Sequence, residues 1–364
     1  MEFQQSKMEI MGLKTVLSHF KGKKVFITGH TGFKGSWLTF LLDQHGAITK
    51  GYALEPNTNP SLYLNLKFSN KHSSIYSNIL EFDSLKREIE SFEPEYIFHL
   101  AAQPLVLESY DDPKTTFETN FNGTLNLLEI LREAALPCTA ILITTDKVYE
   151  NNELNIAFKE SDKLGGKDPY SASKAACEFL IHSYQNSFFK DSKIHIASVR
   201  AGNVIGGGDW SDNRLIPDII RSVFENKSLE IRNPEATRPW QHVLEPLYGY
   251  LILAKVISED PSSYSGAWNF GPETGDVKTV REIVEIAKVL DFQIKMELSS
   301  TIEKQEANYL SLNINKAKRE LKWSPKWDSK VAIWESLNWY QKFYEGEDAN
   351  KLIYKNIEKY STIL

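Results

Sequence analysis

The apolar run Lys24-Val25-Phe26-Ile27-Thr28 is followed at once by Gly29, Gly32 and Gly35, three glycines spaced three apart. A strand that ends in a glycine-rich turn and resumes as a helix, read here over Lys34 to Leu42, turns backbone N–H groups outward at a helix N-terminus and so favours an anion there. The three glycines do different things. Gly29 permits the tight turn, Gly32 lets backbone N–H groups approach a phosphate, and Gly35 lets helix and strand pack closely. The spacing is a variant of the Gly-x-Gly-x-x-Gly dinucleotide fingerprint. The turn therefore reads as a pyrophosphate cradle made by Gly29, His30, Thr31, Gly32, Phe33 and Gly35. His30 and Lys34 place bulk and charge beside that pyrophosphate, and His30→Gly is expected to tighten cofactor binding.

The pattern after the turn repeats strand and helix. Ala47 to Leu54 reads as a second strand, and Glu55 at its end is the carboxylate that would accept hydrogen bonds from an adenosine ribose. No arginine stands there to take a 2′-phosphate, which favours NAD over NADP. Ser74 to Ser77 is a third strand leading to Asn78-Ile79, and the amphipathic Asp83 to Phe92 segment follows. Tyr96 to Ala102 is nearly continuous apolar sequence, as in a parallel strand buried on both faces, and its small residues Ala101 and Ala102 would let a cofactor lie close. A long helix is expected over Phe117 to Ala135, with Asn120 and Thr124 one turn apart. Thr139 to Ile143 is a fifth strand running into Thr144-Thr145-Asp146-Lys147, the carboxyl end of a strand, where open parallel sheets bind ligands. The next helix opens at Asp168-Pro169-Tyr170 and continues to Tyr184.

This alternation from Lys24 to about Val199 predicts an α/β fold, a Rossmann-type doubly wound parallel sheet. Beyond Gly202 the character changes: Gly206 to Gly208, Trp210, Arg214, Arg232 and Arg238 lie in loop-like sequence, with helices expected near Leu215 to Glu225, Pro246 to Ile257, Val280 to Leu290 and Lys330 to Tyr344. The organisation expected is a nucleotide-binding domain over residues 1–200, its core starting at about 22. A smaller mixed α/β substrate-binding lobe over 201–364 would be interleaved with the last Rossmann elements.

A formal charge of −6 argues against a protein that works mainly by binding a nucleic-acid backbone. Two cysteines, Cys138 and Cys177, with no metal-type spacing predict a reducing compartment and no structural metal. No run of 18 apolar residues suggests a membrane span, and Met1 to Lys14 lacks a sustained apolar core, so a cytoplasmic location is expected.

Tyr170 and Lys174 are four apart, hence on one helical face. A phenol titrates near about pH 10 in water, and an ammonium one turn away would favour the phenolate by direct attraction. Tyr170 could then take a proton from a sugar or alcohol hydroxyl as hydride leaves for a nicotinamide, with Thr145 or the neighbouring Thr144 orienting that hydroxyl.

In that order, the glycine turn, His99-Leu100-Ala101-Ala102, Asn120, and Tyr170 with Lys174 make the chain resemble the extended short-chain dehydrogenase/reductases that act on nucleotide sugars, over nearly its whole length. Thr145-Asp146-Lys147 stands where many 4,6-dehydratases of that family carry Thr-Asp-Glu, and Asp-Lys looks like the CDP-glucose branch. So do Gly29 to Trp37, Arg200 to Trp210 and Arg238-Pro239-Trp240-Gln241-His242-Val243. The resemblance implies NAD bound by the glycine turn with Asn78, Ile79, Ala101, Ala102, Asn120, Thr144, Tyr170 and Lys174. It implies a CDP-glucose or related nucleotide-sugar substrate held by Gln103, Asn203, Arg214, Arg238 and His242, with a diphosphate at Asn203, Arg214 and Arg238.

The reaction implied is an internal redox cycle. C4 is oxidised by way of Tyr170, water leaves across C5 and C6, and hydride returns to C6. The product would be a 4-keto-6-deoxy sugar for surface polysaccharide such as lipopolysaccharide O-antigen. Asp146 suits the acid that protonates the departing hydroxyl if burial raises its pKa. Lys147 is either the C5 base or a stabiliser of the enolate while another group moves the proton. A 4-epimerase, a dehydratase for another base, and a non-catalytic dinucleotide-binding module are the alternatives. One departure from the CDP-glucose branch stands out: Leu107-Glu108 follows Ala101 to Val106 where a basic residue is expected. A homodimer formed through the helices after Phe117 and Tyr170 is also implied.

Overall fold

Seven strands, all paired in parallel, form one sheet: β1 (Lys24–Thr28), β2 (Ile48–Ala53), β3 (His72–Tyr76), β4 (Tyr96–His99), β5 (Cys138–Ile143), β6 (Ile194–Ala201) and β7 (Gly266–Phe270), in the order β7-β6-β5-β4-β1-β2-β3. The computed structural model describes residues 11–363 apart from 153–155, 226, 232–233, 236, 290–291, 293 and 299–308, so Arg232 and Leu290 lie outside the described residues. The direction of strand order reverses between β1 and β4. A crevice opens there at the carboxyl ends of the strands, the place where doubly wound sheets take ligands.

Helices cover both faces. On one side α1 (Phe33–Gln44) and α5 (Leu244–Glu259) bury Trp37, Leu38, Leu41, Tyr250 and Leu251 against Val25 and Ile27. On the other, α2 (Phe82–Phe92), α3 (Gly123–Ala134) and α4 (Pro169–Tyr184) pack Leu85, Leu127, Leu131 and Ile181 against Phe26, Ile97 and Ala140. Burial on both faces explains why the central strands read as continuous apolar runs without alternation.

Three of the elements that differ from the sequence expectation stand out. The long helix over 117–135 is interrupted: a short helix Pro113–Phe117 passes into a π-helical turn, Glu118–Asn122, before α3 begins. Such widened turns recur at functional sites, and this one carries Asn120. The short strand β7 was not anticipated. It pairs with β6 from Gly266↔Ala197 to Phe270↔Ala201, so a segment from the second half of the chain completes the sheet. The C-terminal helix α7 (Ala349–Ser361), which follows α6 (Ser329–Tyr344), was also missed. Asp348 caps α7 by accepting from Lys351 N at 3.2 Å, and Leu352, Ile353, Ile357 and Tyr360 supply its buried stripe. Among the described residues no helix is long and apolar enough to cross a membrane.

Candidate active site

The glycine turn fits a dinucleotide on steric grounds. Gly29 sits at φ +71°, where a Cβ would lie 2.6 Å from Ala101 N, and a Cβ on Gly35 would lie 2.0 Å from Gly29 O. Neither position admits a side chain. Gly32 is exposed, and a Cβ there would meet only Gly29 O, at an ordinary 3.5 Å, so a ligand can reach the backbone. Ala101 and Ala102 are half-buried beside it, and Thr31 Oγ1 donates to Leu54 O at 2.9 Å, tying the turn to the loop that presents exposed Glu55. Asn78 accepts from Leu80 N at 3.0 Å, while Ile79 is buried against Gly123.

His30 is a correction. Its ring is fully buried beneath the turn, over Gly51, hydrogen-bonded to Ser74 Oγ at 2.6 Å and edge-on to Tyr63. Burial, with His72 nearby, lowers its pKa to about 3, so at neutral pH it carries no charge. A glycine allows the close approach of the β2 backbone to this ring. The side chain therefore adds neither bulk nor charge at the mouth of the turn.

At the end of β5 the chain enters a short 3₁₀ turn, Asp146–Val148. Thr145 Oγ1 donates to Asp146 Oδ1 at 3.1 Å, whereas Asp146 Oδ2 is buried with no partner and faces Gly202. Desolvation raises the Asp146 pKa, opposed by Lys147, the Thr145 hydrogen bond and Arg238. The buried, raised carboxyl expected of an acid is in place.

Helix α4 begins where it does because Asp168 accepts from Ser171 N at 2.9 Å and Pro169 occupies the first turn. That start puts Tyr170 in the first turn, its backbone N–H donating to Ser109 Oγ at 3.2 Å, and Lys174 one turn on. Other groups outweigh Lys174 in setting the Tyr170 phenol. Lys174 Nζ donates to Ile143 O at 3.0 Å, and burial pushes the Tyr170 phenol up to about 12. A hydrogen bond with Thr145 and the charge of Arg214 are what oppose that rise. Asn120, fully buried on the π turn, bonds Gln103 N at 2.8 Å and Ser173 Oγ at 2.9 Å, so it clamps α4 to the loop after β4.

Behind the strand ends lies a second carboxylate. Glu178 accepts from Thr144 Oγ1 at 2.5 Å, from Ser198 Oγ at 2.8 Å and from Arg200 at 2.7 Å and 3.0 Å. Arg200 in turn donates to Tyr149 Oη at 2.7 Å. Despite its burial, Glu178 has a lowered pKa because of Arg200 and the two hydroxyls. Thr144 is thus fastened from behind.

The second half of the chain closes the crevice. Arg214 pairs with Asp209 at 2.7 Å and lies close enough to Tyr170 to act on it electrically, while Arg238 does the same to Asp146. Asn203 is half-buried, its carbonyl accepting from Gln241 N at 3.0 Å. Two expected substrate contacts are turned elsewhere. Gln103 spends its side chain on Leu105 N and O and on Thr116 Oγ1. His242 is fully buried between Trp37 and Trp327, its pKa lowered to about 3 by burial.

Sequence reasoning missed Ser109, Ser173, Glu178, Arg200 and Asp209 as supports of the site. The signal for one pair was present: Glu178 lies four residues after Lys174 on the same helical face, and Arg200 interrupts an apolar strand, so each charge needed a buried partner.

The family model described as GDP-mannose 4,6 dehydratase matches residues 26–335. The curated CDP-glucose 4,6-dehydratase of Salmonella typhimurium is 43% identical over 335 residues, covering 90% of this chain and 93% of that protein. Among solved structures, an epimerase from Methanothermobacter thermautotrophicus superposes with TM-score 0.80 at 23% identity, covering 94% of this chain and 97% of that one. The dTDP-glucose 4,6-dehydratase of Bacillus anthracis, in complex with NAD, superposes with TM-score 0.74 at 22% identity, covering 90% and 99%. A match that takes in both the glycine turn and the loops closing the crevice leaves one conclusion: the chain belongs to the GDP-mannose 4,6-dehydratase family of extended short-chain dehydrogenase/reductases.

Proposed function

We propose that this chain is a lyase that converts CDP-glucose to CDP-4-keto-6-deoxyglucose with NAD as an internally recycled cofactor. The observation that carries the reading is Asp146: a buried carboxyl with a free oxygen and a raised pKa, next to a buried phenol at the carboxyl end of a central strand. A 4-epimerase needs no acid for water loss, so this carboxyl speaks for elimination. The likeness to the Salmonella enzyme over 90% of the chain supports CDP-glucose as the substrate.

NAD, when bound, supplies the acceptor for oxidation at C4 and the donor for reduction at C6. The remaining roles fall to the chain. Gly29, Thr31, Gly32, Phe33 and Gly35 present backbone to the pyrophosphate, and Ala101 and Ala102 leave room for the nicotinamide half. Glu55 receives the ribose hydroxyls. Tyr170 accepts the C4 hydroxyl proton; its phenol must first fall from about 12, and Arg214, the Thr145 hydrogen bond and a bound nicotinamide cation all act in that direction. Thr145 orients the hydroxyl. Once C4 is a ketone the C5 proton is acidic, and Lys147 takes it or stabilises the enolate. Asp146, whose pKa burial raises, is the acid that delivers a proton to the departing C6 hydroxyl. Asn203, Arg214 and Arg238 hold the substrate diphosphate through charge-assisted hydrogen bonds. On this reading residues 1–200 hold the cofactor and 201–364 the sugar nucleotide.

A homodimer through the helices around Phe117 and along α4 belongs to the proposal; exposed Phe117, Phe179 and Phe188 support it. Buried free thiols at Cys138 and Cys177 suit the reducing cytoplasm. The test is a panel of CDP-, dTDP-, GDP- and UDP-hexoses incubated with enzyme and NAD⁺ and no added reductant, read by the alkaline absorbance of a 4-keto-6-deoxy product. CDP-glucose is expected to give it. Product from another nucleotide sugar and none from CDP-glucose would overturn the substrate; no product from any would overturn the reaction.

A further inference from the structure

A second buried phenol stands beside the strand ends, and the roles above leave it out. Tyr250, on α5, is fully buried, and its Oη has no hydrogen-bond partner among the described residues. Two close approaches fix its level in the fold. A Cβ on Gly249 would lie 2.3 Å from the Phe270 ring, so α5 meets the end of β7 more tightly than a side chain at 249 would allow, and the Tyr250 ring sits edge-on to Phe270 at 5.6 Å. Phe270 pairs with Ala201, the last residue of β6, and a Cβ on the next residue, Gly202, would lie 2.9 Å from Asp146 Oδ2. Phe270, Gly202 and Asp146 thus follow one another across the carboxyl ends of β7, β6 and β5, with Tyr250 packed against the first. Burial, then Tyr170 and Asp146, raise the Tyr250 pKa, so the phenol keeps its proton and remains a donor.

Asp146 Oδ2 is the complementary atom, a buried acceptor without a partner. Thr145 serves Oδ1, while Lys147 and Arg238 act on the carboxyl by charge and make no hydrogen bond to Oδ2. A neutral carboxyl tolerates that shortage, but a buried carboxylate does not. In the elimination the C5 proton goes to another group, and its electron pair closes the C5–C6 double bond. The C6–O bond breaks as the Asp146 proton passes to that oxygen, and water leaves. A carboxylate then stands where a carboxyl was.

We propose that Tyr250 is a positioning residue for water elimination, its Oη donating to Asp146 Oδ2 as that carboxyl gives up its proton. The inference rests on the reading of Asp146 as the acid, and Tyr250 acts through Asp146, not on the sugar. A bond that closes only as charge develops favours the transition state over the ground state. The competing acceptor is Gln241 Oε1, also buried without a partner, on a side chain whose Nε2 donates to Phe270 O at 3.0 Å. A carboxylate oxygen is the stronger acceptor of the two.

The experiment compares wild type, Tyr250→Phe, Asp146→Asn and the double variant with CDP-glucose and NAD⁺ in heavy water. It reads the 4-keto-6-deoxy product, deuterium at C5 of recovered substrate, and the melting temperature. Tyr250→Phe is expected to lower kcat for product about tenfold or more, the scale of a hydrogen bond to a charged group, with KM within about twofold of wild type and C5 exchange retained. Its melting temperature should be at or above that of wild type, because a buried hydroxyl without a partner does not stabilise the folded chain. In the Asp146→Asn background the same change should cost less than about twofold, since an amide develops no charge for the phenol to meet. Product formation by Tyr250→Phe within twofold of wild type, parallel loss of product and exchange, or a full additional loss in the double variant would overturn the proposal. So would a clear fall in melting temperature, which would give the hydroxyl a structural bond to Gln241 instead. Absence of product from wild type would defeat the reaction and the proposal with it, whereas product from wild type with unaltered turnover in Tyr250→Phe defeats only the role of Tyr250.

Discussion

Asp146 and Glu178 are both buried carboxyls close to the end of β5, and their surroundings push them in opposite directions. Glu178 is met by Arg200, Thr144 and Ser198, and its pKa falls. Asp146 keeps one oxygen without a partner, and its pKa rises. The difference separates scaffold from chemistry within a few residues. A carboxylate whose lone pairs are all taken holds neighbours in place; one left short of partners stores a proton that a reaction can use.

Substitutions on the two sides should therefore diverge, and the largest divergence lies in turnover. Tyr170→Phe and Asp146→Asn are each expected to lower product formation by about 10²- to 10⁴-fold, the usual contribution of a positioned acid or base. The fold should be retained in both. Because the folded-state pKa of Asp146 lies above its unfolded value, the ionised carboxyl costs stability at neutral pH. Asp146→Asn should accordingly melt at or above the wild-type temperature, a gain that accompanies loss of function at sites of this kind. A clear fall in melting temperature would break the comparison from the chemical side.

Arg200→Met tests the other side. It leaves Glu178 buried without its counter-charge, a loss of about 3 to 5 kcal/mol for a pair this deep. Urea unfolding should show that loss. A variant as stable as wild type would mean that the pair is not what fastens Thr144. Next in size, Arg238→Ala is expected to raise the Michaelis constant for the nucleotide sugar about tenfold and to leave NAD⁺ affinity unaltered; an unchanged constant would remove Arg238 from the substrate site.

Acidification should act on the scaffold before the site. His30, His99 and His242 are buried and neutral, each with its pKa lowered to about 3. A depressed folded-state pKa gives stability that is full above the unfolded value of about 6.5 and is lost as pH falls towards the folded one. Thermal melts should therefore decline steadily from about pH 6.5 downwards. A flat profile to pH 4 would contradict the burial of these rings.

The parts of the molecule set by local pattern could be read from the residues. The apolar run before Gly29, the strand ending at Thr144-Thr145-Asp146 and the Asp168-Pro169 start of α4 all lie where spacing and capping put them. What could not be read depends on partners far away in the chain. His30 goes beneath the turn because Gly51 and Ser74 make a pocket for it, and no spacing rule reports that. Asn120 faces Ser173 because the helix widens by one residue at Glu118–Asn122, and the Gln103 side chain is taken up by Leu105 and Thr116. β7 is five residues long and gains its place only by pairing with β6. Family resemblance located Gln103 and His242 by position, but it could not say which way their side chains turn.

The most direct test of the division between Asp146 and Tyr170 follows solvent deuterium into C5 of recovered CDP-glucose by mass spectrometry. After incubation with NAD⁺ in heavy water, Asp146→Asn should form almost no 4-keto-6-deoxy product yet still exchange C5, because oxidation at C4 and removal of the C5 proton do not pass through its carboxyl. Tyr170→Phe should do neither. Equal loss of exchange and product in Asp146→Asn, or full product formation by it, would contradict the assignment of Asp146 as the acid of water elimination.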